Sequence, residues 1–292
     1  MAQINIGTMV AATDDPRVAE FMDALERVNA IADAARGFVW RLQTDSGNAT
    51  EIQIFPNPLT LVNMSVWESV DALKDYVYRS EHIEFFRRRA HWFEADAKRV
   101  ALWHLSTGTI PELDEAVRRV EFLERNGPSP YAFGFAKPQV PLVFETTSPD
   151  DADTRALINR LDAELAAAAT HAGENHFRLT AGEVTDRGRM IRARLGEQPV
   201  GCGALRDIGD GAGEIKRMFV DPSCRGSKIG AAILDQLELH ARRSGLTQLK
   251  LETSAKQQAA LHLYEGFGFK PCGRWGEYID TPETSLCYAK AV

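Results

Sequence analysis

Residues 214–231, EIKRMFVDPSCRGSKIGA, decide how the second half of this chain is read. The stretch predicts a strand from Glu214 to Val220, a turn at Asp221-Pro222, and a short loop opening a helix over Arg225-Gly226-Ser227-Lys228-Ile229-Gly230-Ala231. A loop with two glycines at a helix start leaves backbone N–H groups unpaired at the positive end of the helix dipole. That makes an anion site, and a diphosphate is the anion it fits best.

Outward from this stretch, the flanking sequence supplies a sheet and its helices. Upstream, the pattern predicts a strand near Val140–Thr146 and a helix capped by Asp151 or Asp153, with Leu157, Ile158, Leu161 and Leu165 on its buried side. Thr170 to Asp186 has no clean period and is read, by elimination, as a substrate-side loop. A hairpin follows, with Met190–Leu195 and Val200–Arg206 joined by the turn Gly196-Glu197-Gln198-Pro199. Downstream, the helix runs to about Arg243 and breaks at Ser244-Gly245. A strand over Leu246–Thr253, a helix over Gln257–Gly266 and strands near Phe269 and Ser285–Ala289 complete the pattern.

At 292 residues the chain is long for one core and natural for two domains. The stretch GPSPYAFGFAKPQVP (127–141) is rich in Pro and Gly and reads as the linker, giving domains 1–137 and 138–292. The first part alternates as β-α-β-β-α-β, the order of a split βαβ, ferredoxin-like unit. Its strands are residues 2–10, Phe38–Gln43, Leu59–Trp67 and Val100–Leu105; its helices run from Asp14-Asp15-Pro16 to Gly37 and over Val70–Arg79, His82–Asp96 and Glu112–Arg125. Trp40, Trp67, Trp92 and Trp103 fall here beside His82, His91 and His104, a set better suited to a core or a subunit face than to a catalytic pocket. Arg87-Arg88-Arg89 lies near Glu81 and Glu84 and reads as a solvated helix face.

With 44% hydrophobic and 26% charged residues, the composition is that of a soluble globular protein. A net charge of −7 speaks against nucleic acid or an anionic membrane as partner. The start, MAQINIGTMV, lacks the basic opening and long apolar run of a signal peptide, and no stretch approaches membrane-spanning length, so a cytoplasmic location is expected. Cys202, Cys224, Cys272 and Cys287 show no metal-ligand spacing and are expected to be reduced thiols, with no metal site.

Two resemblances sharpen this. GFVWRLQTDSGNAT (37–50), LVNMSVWESVDALKDYVYRSEH (61–82) and RRRAHWFE (87–94) resemble an uncharacterised bacterial family of the dimeric α/β-barrel type. That implies a ferredoxin-like fold over most of residues 1–135 and a homodimer formed through the N-terminal sheets, with no reaction specified. GCGALR (201–206), EIKRMFV (214–220), RGSKIGAAIL (225–234), LKLETS (249–254) and ALHLYEGFGF (260–269) stand in the order of the GNAT superfamily of acyl-CoA-dependent N-acyltransferases. The overall expectation is thus a two-domain α+β / α/β protein whose C-terminal part is a GNAT fold, a mixed and mostly antiparallel sheet flanked by helices.

The second resemblance implies acetyl-CoA as co-substrate and a small-molecule primary amine as acceptor. It places the coenzyme diphosphate on the amides of Arg225, Gly226, Ser227, Lys228, Ile229, Gly230 and Ala231, and the pantetheine arm along Met218, Phe219 and Val220. Gln257 falls where many members carry an asparagine that touches the coenzyme; it reads equally well as a solvated helix residue. The family's usual loop has glycine where this chain has Lys228, a substitution acceptable where the backbone is already helical. Tyr264 matches the family's general acid and otherwise reads as a core aromatic. Glu214 is the candidate base, acting through water, with Glu252 its rival and a surface carboxylate paired to Lys216 or Arg217 the plain alternative. His176, Phe177, Trp275 and Tyr278 are placed to line the acceptor side. A different class remains open: a non-catalytic acyl-CoA-binding sensor or assembly protein.

Overall fold

The computed structural model describes residues 1–95, 99–136, 139–168, 181–184, 187–280 and 285–292. The chain divides into two compact units, Met1–Pro141 and Leu142–Val292.

In the first unit, strands β1 (Ala2–Thr8), β2 (Phe38–Arg41), β3 (Thr60–Trp67) and β4 (Arg99–Trp103) form one sheet in the order β2-β3-β1-β4. The β1–β3, β1–β4 and β2–β3 pairs are all antiparallel, which is consistent with a ferredoxin-like split βαβ unit. Helices α1 (Ala19–Asp33), α2 (Val70–Arg79) and α3 (His82–Arg88) belong to one side; Ala32, Leu73 and Val77 pack there with Trp67 and Leu102. Helix α2 begins where Ser69 accepts a hydrogen bond from Ala72 N–H, an N-cap that satisfies one of the orphan donors of the first turn. The expected helix over His82–Asp96 is shorter: a 3-10 turn over Arg89–His91 follows α3, and Phe93 bridges to Met9. The first helix also starts later than Pro16, at Ala19.

The other side of this sheet is covered by the chain itself. Ile4, Ile6, Val62, Met64 and Trp103 pack with Ala116 and Val120 of α4 (Leu113–Asn126). Trp67, Trp92 and Trp103 are all buried, so the tryptophans serve the core. Arg119 of α4 spans the ring of Tyr131 at 4.0 Å and donates to its carbonyl at 2.6 Å, a buried cation held by Glu115.

The second unit is one seven-stranded sheet in the order β10-β11-β9-β8-β7-β6-β5. Its strands are β5 (Leu142–Thr147), β6 (Arg189–Leu195), β7 (Gln198–Asp207), β8 (Ala212–Val220), β9 (Gln248–Ser254), β10 (Lys270–Pro271) and β11 (Ser285–Ala291), with helices α5 (Ala152–Ala168), α6 (Ile229–Arg243) and α7 (Gln258–Gly266). Asp151 is the cap of α5, accepting from the N–H groups of Asp153 and Thr154. The β6–β7 turn is tighter than the sequence suggested. Leu195 pairs with Gln198, leaving only Gly196-Glu197 between them, with Gly196 at φ 60°.

Two features shape the middle of this sheet. All strand pairs are antiparallel except β8–β9, which is parallel and pairs only over Ala212–Ile215 with Gln248–Leu251. Beyond Ile215, strand β8 leaves β9. On its other side, β8 carries an extra residue: Cys202 faces Phe219 and Ala204 faces Lys216, so Arg217 and Met218 together oppose Gly203. Arg217 sits at φ 54°, a left-handed backbone uncommon for a side-chain-bearing residue and typical of a bulge. Its guanidinium is tied to Asp162 of α5 at 2.6 Å.

Candidate active site

The opening stretch of sequence folds as a strand, a turn and a helix with altered boundaries. Strand β8 ends at Val220, a 3-10 turn spans Pro222–Cys224, and α6 begins at Ile229. Asp221 organises the turn: its carboxylate accepts from Ser223 N–H and pairs with Arg160 at 2.7 Å. The Arg160 and Ser223 contacts hold its carboxyl far below the usual range. Gly226 lies at φ 83° with open space where a Cβ would stand. Lys228, the N-cap of α6, lies at φ 67°. The backbone at Lys228 is therefore left-handed, so the condition under which a non-glycine would sit there without cost is not met. The peptide must turn sharply to aim the loop into the helix, and a lysine is made to do what glycine does without steric cost.

The first backbone hydrogen bond of α6 runs from Ala232 N–H to Lys228 O. The amides of Ile229, Gly230 and Ala231 thus precede the helical ladder and have no intrahelical acceptor. A Cβ at Gly230 would make ordinary contacts, 3.5 Å from Val220 and 3.6 Å from Leu263. Ser227 turns inward instead, its hydroxyl donating to Cys224 O. Arg225 donates to Val220 O at 3.1 Å and pairs with Glu164 at 2.6 Å, so its charge is shared with α5.

Side chains of the strand before the loop point into the protein. Phe219 is buried with Leu157, Leu161 and Cys202, and Met218 faces Gly203 on the α6 side. What Met218 and Phe219 can present to a ligand on the open side of β8 is therefore backbone.

Glu214 is completely buried. Its Oε2 accepts from Arg206 Nε at 2.8 Å and lies 2.5 Å from Arg206 Nη2. Its Oε1 accepts from the Tyr278 hydroxyl at 2.5 Å, with Lys216 Nζ 3.5 Å away. Lys216 Nζ in turn donates to the Tyr278 hydroxyl at 3.0 Å and to Glu277 at 2.9 Å. Arg206 also reaches Glu277 at 3.0 Å and Glu183 at 2.7 Å. Burial first, and then the Glu214 carboxylate, hold the Tyr278 phenol well above its ordinary range, so it stays protonated. The plain alternative for Glu214, a surface carboxylate, does not hold: the carboxylate is internal, its main partner is Arg206 with Lys216 nearby, and Arg217 is engaged elsewhere. Arg206 had a readable signal, because Arg206 and Glu214 are directly opposed across the β7–β8 ladder and opposite charges favour that pairing. Glu277 had none, being far along the chain.

Tyr264 is a buried residue of α7, edge-on to Phe269 at 6.0 Å. Burial, and then the Glu252 carboxylate, push its phenol well above the usual range. Glu252, on β9, accepts from the Ser285 hydroxyl. Gln257 spends its side-chain oxygen inside the protein, accepting from Thr253 Oγ1 at 2.8 Å. Trp275 and Tyr278 come together, ring centroids 4.9 Å apart, with Lys250 Nζ 5.4 Å from the Trp275 centroid. His176 and Phe177 lie outside the described residues.

A cavity of about 570 Å³ opens where β8 and β9 begin, lined among others by Arg206, Asp210, Gln248, Lys250, Trp275 and Glu277. The coenzyme-loop candidates do not line it; Val220 is at the other end of β8, roughly 26 Å of strand from Ala212. Glu214 and Lys216 of β8 reach two of the cavity's lining residues, Arg206 and Glu277. Among the described residues no group of three His, Cys, Asp or Glu side chains is arranged to hold a metal ion.

Comparison with known proteins matches the two parts of the chain to different families. A domain of unknown function, DUF3291, matches residues 1–148, and the acetyltransferase (GNAT) family matches residues 155–269. The chain belongs to the DUF3291 family through its N-terminal half and carries a GNAT acetyltransferase domain in its C-terminal part. An "IAA acetyltransferase" of Azospirillum brasilense is 43% identical over 95 residues, 32% of this chain and 62% of the relative. "Uncharacterized N-acetyltransferase YsnE" of Bacillus subtilis is 33% identical over 91 residues, 30% of this chain and 60% of the relative. The chain thus spans about three-fifths of the length of these two relatives. A solved structure from Klebsiella pneumoniae subsp. pneumoniae, assigned as an acyl-CoA N-acyltransferase, is 31% identical and is covered to 97%, against 51% of this chain, with a TM-score of 0.44.

Proposed function

We propose that the C-terminal unit transfers an acetyl group from acetyl-CoA to a primary amine by direct attack within a ternary complex. The observation that carries this is the departure of β8 from β9 beyond Ile215, directly ahead of a loop with unspent helix-start amides. A gap in a sheet offers backbone hydrogen bonds to an extended polar arm, and the amides suit a diphosphate. Acetyl-CoA supplies a thioester that is already activated toward a nitrogen nucleophile. The amides of Ile229, Gly230 and Ala231 bind its diphosphate, and the exposed edge of Met218–Val220 orients its arm. Tyr264, kept protonated by burial, donates a proton to the departing sulfur. Glu214 receives the amine proton. Because both its oxygens are engaged, the Tyr278 hydroxyl stands between them as the passage for that proton, with Lys216 fixing its orientation. Trp275 and Tyr278 border the acceptor.

The test is acetyl-CoA-dependent acylation of an amine panel, followed by mass spectrometry, alongside calorimetric titration of acetyl-CoA. Binding without product on any amine would favour the sensor or assembly reading instead. We further propose a cytoplasmic homodimer built on the N-terminal unit. Since α4 covers one face of that sheet, the joining surface proposed is the edge strand β2, where Val39 is 54% exposed.

A further inference from the structure

Cys272 and Cys287 flank the segment that carries Trp275, Glu277 and Tyr278. The β10–β11 register pairs Lys270 with Ala289 and Pro271 with Tyr288, so Cys272 falls opposite Cys287. The backbone continues that ladder, with Cys272 N–H donating to Cys287 O at 2.9 Å. Directly opposed residues of an antiparallel pair place their side chains on the same face, with Cβ atoms roughly 5 Å apart. The corresponding Cα separation lies within the range a disulfide spans. Cys272 is exposed and Cys287 buried, and both are free thiols. Cys287 feels its neighbour: burial, Cys272 and Glu252 together push the Cys287 thiol up to about 11.

We propose that Cys272 and Cys287 are a reversible thiol-oxidation site that closes the base of this segment. The oxidant is a small-molecule disulfide such as oxidised glutathione. Cys272 loses its proton and its sulfur attacks one sulfur of the oxidant, releasing the first small thiol. Cys287 loses its proton in turn and attacks the Cys272 sulfur of the mixed disulfide, releasing the second. Two protein thiols are oxidised, one disulfide is reduced to two thiols, and the two protons end on the leaving groups. The other cysteines have different surroundings: Cys202 is buried with its Sγ against Arg217 O, and Cys224 lies in the turn after β8.

What the bond changes is the anchoring of Glu277 and Tyr278. These residues reach β7 and β8 through Arg206, Lys216 and Glu214, and Trp275 N–H is hydrogen-bonded to the Cys287 thiol. Reduced, Cys272 and Cys287 are joined by a backbone hydrogen bond; oxidised, by a covalent bond as well. Raised thiols are slow nucleophiles at neutral pH, so the reaction quickens as pH rises.

The experiment incubates the full chain with oxidised glutathione at neutral and mildly alkaline pH, then measures intact mass and maps non-reduced peptides. The expected result is loss of two hydrogens, faster at the higher pH, a peptide joining Cys272 to Cys287, and full reversal by a thiol reductant. Cys272→Ser and Cys287→Ser each abolish the loss, while Cys224→Ser does not. The proposal is overturned if the wild-type chain keeps all its thiols, stops at a mixed disulfide on Cys272, or joins copies of the chain through Cys272. None of these readouts depends on acetyl transfer.

Discussion

Glu214 shows how much a single side chain can be constrained by its surroundings. An ionised carboxylate with no exposure is tolerable only because Arg206, Lys216 and the Tyr278 hydroxyl replace the water it lost. Glu214→Gln removes the charge and leaves two cations facing a neutral amide. The expected loss is about 3 kcal/mol of stability, measured by urea denaturation, together with a fall in turnover at retained acetyl-CoA affinity. Tyr264→Phe is different in kind: the ring stays, the proton donor goes, and turnover on an established amine should fall on the order of a hundredfold with little change in stability. Wild-type turnover in both variants would remove both residues from the mechanism. His104 offers a pH test in the N-terminal unit. Burial lowers its proton affinity, against a hydrogen bond to Gln139 O at 3.0 Å. A histidine whose folded value is depressed contributes stability that is complete above the usual value of 6.5 and is lost as pH falls toward the lowered one. Thermal midpoints of the wild type should therefore drop on acidification through that window, and those of His104→Gln should drop less.

Helix α6 and strand β7 depend on each other through missing side chains. A Cβ at Gly203 would stand 2.6 Å from Ile233 and 2.8 Å from the Met218 sulfur. Gly203→Ala should therefore cost about 1–3 kcal/mol by forcing α6 outward, and should weaken acetyl-CoA binding with it, because the α6 amides move too. Lys228 makes the complementary case. Its left-handed backbone is unfavourable for lysine, while glycine at the same place loses more chain entropy on folding, so Lys228→Gly should change stability by less than about 1 kcal/mol. If amides rather than the ammonium hold the diphosphate, acetyl-CoA affinity in that variant should stay within about tenfold, a difference of roughly 1.4 kcal/mol. The order of elements was readable from periodicity and punctuation. Helix α2 falls on Val70–Arg79 as expected, because Ser69 caps it in the sequence itself. The conformation of Lys228 was not readable, since nothing in its neighbours encodes a left-handed N-cap; it is imposed by where β8 ends and where α6 must lie.

Each of the two units encloses its own core, and the Pro- and Gly-rich stretch read as a linker belongs to the first of them, where Tyr131 and Phe133 are buried and Phe133 pairs with Leu102 of β4. The chemistry of the polar cluster was harder to see. Arg206 and Glu214 are eight positions apart and meet through a hairpin, but Glu183 and Glu277 approach Arg206 from opposite directions along the chain. Only folding brings such distant charges to one point. If β2 joins two copies, Val39→Asp should turn a sedimenting dimer into a monomer at micromolar concentration while leaving acetyl-CoA binding intact. A wild-type chain that sediments as a monomer would remove the dimer.

The extra residue in β8 has a consequence for how this unit tolerates change in length. Excising Arg217 would let Met218 face Gly203 and leave every other β7–β8 partner where it is. The ladder would be more regular, and the twist that a bulge adds would be lost. The excision should thus draw β8 back toward β9 and narrow the gap beyond Ile215 that we propose admits a coenzyme arm. One residue of length in this strand would then matter more to the proposed coenzyme site than the identity of the side chains it carries.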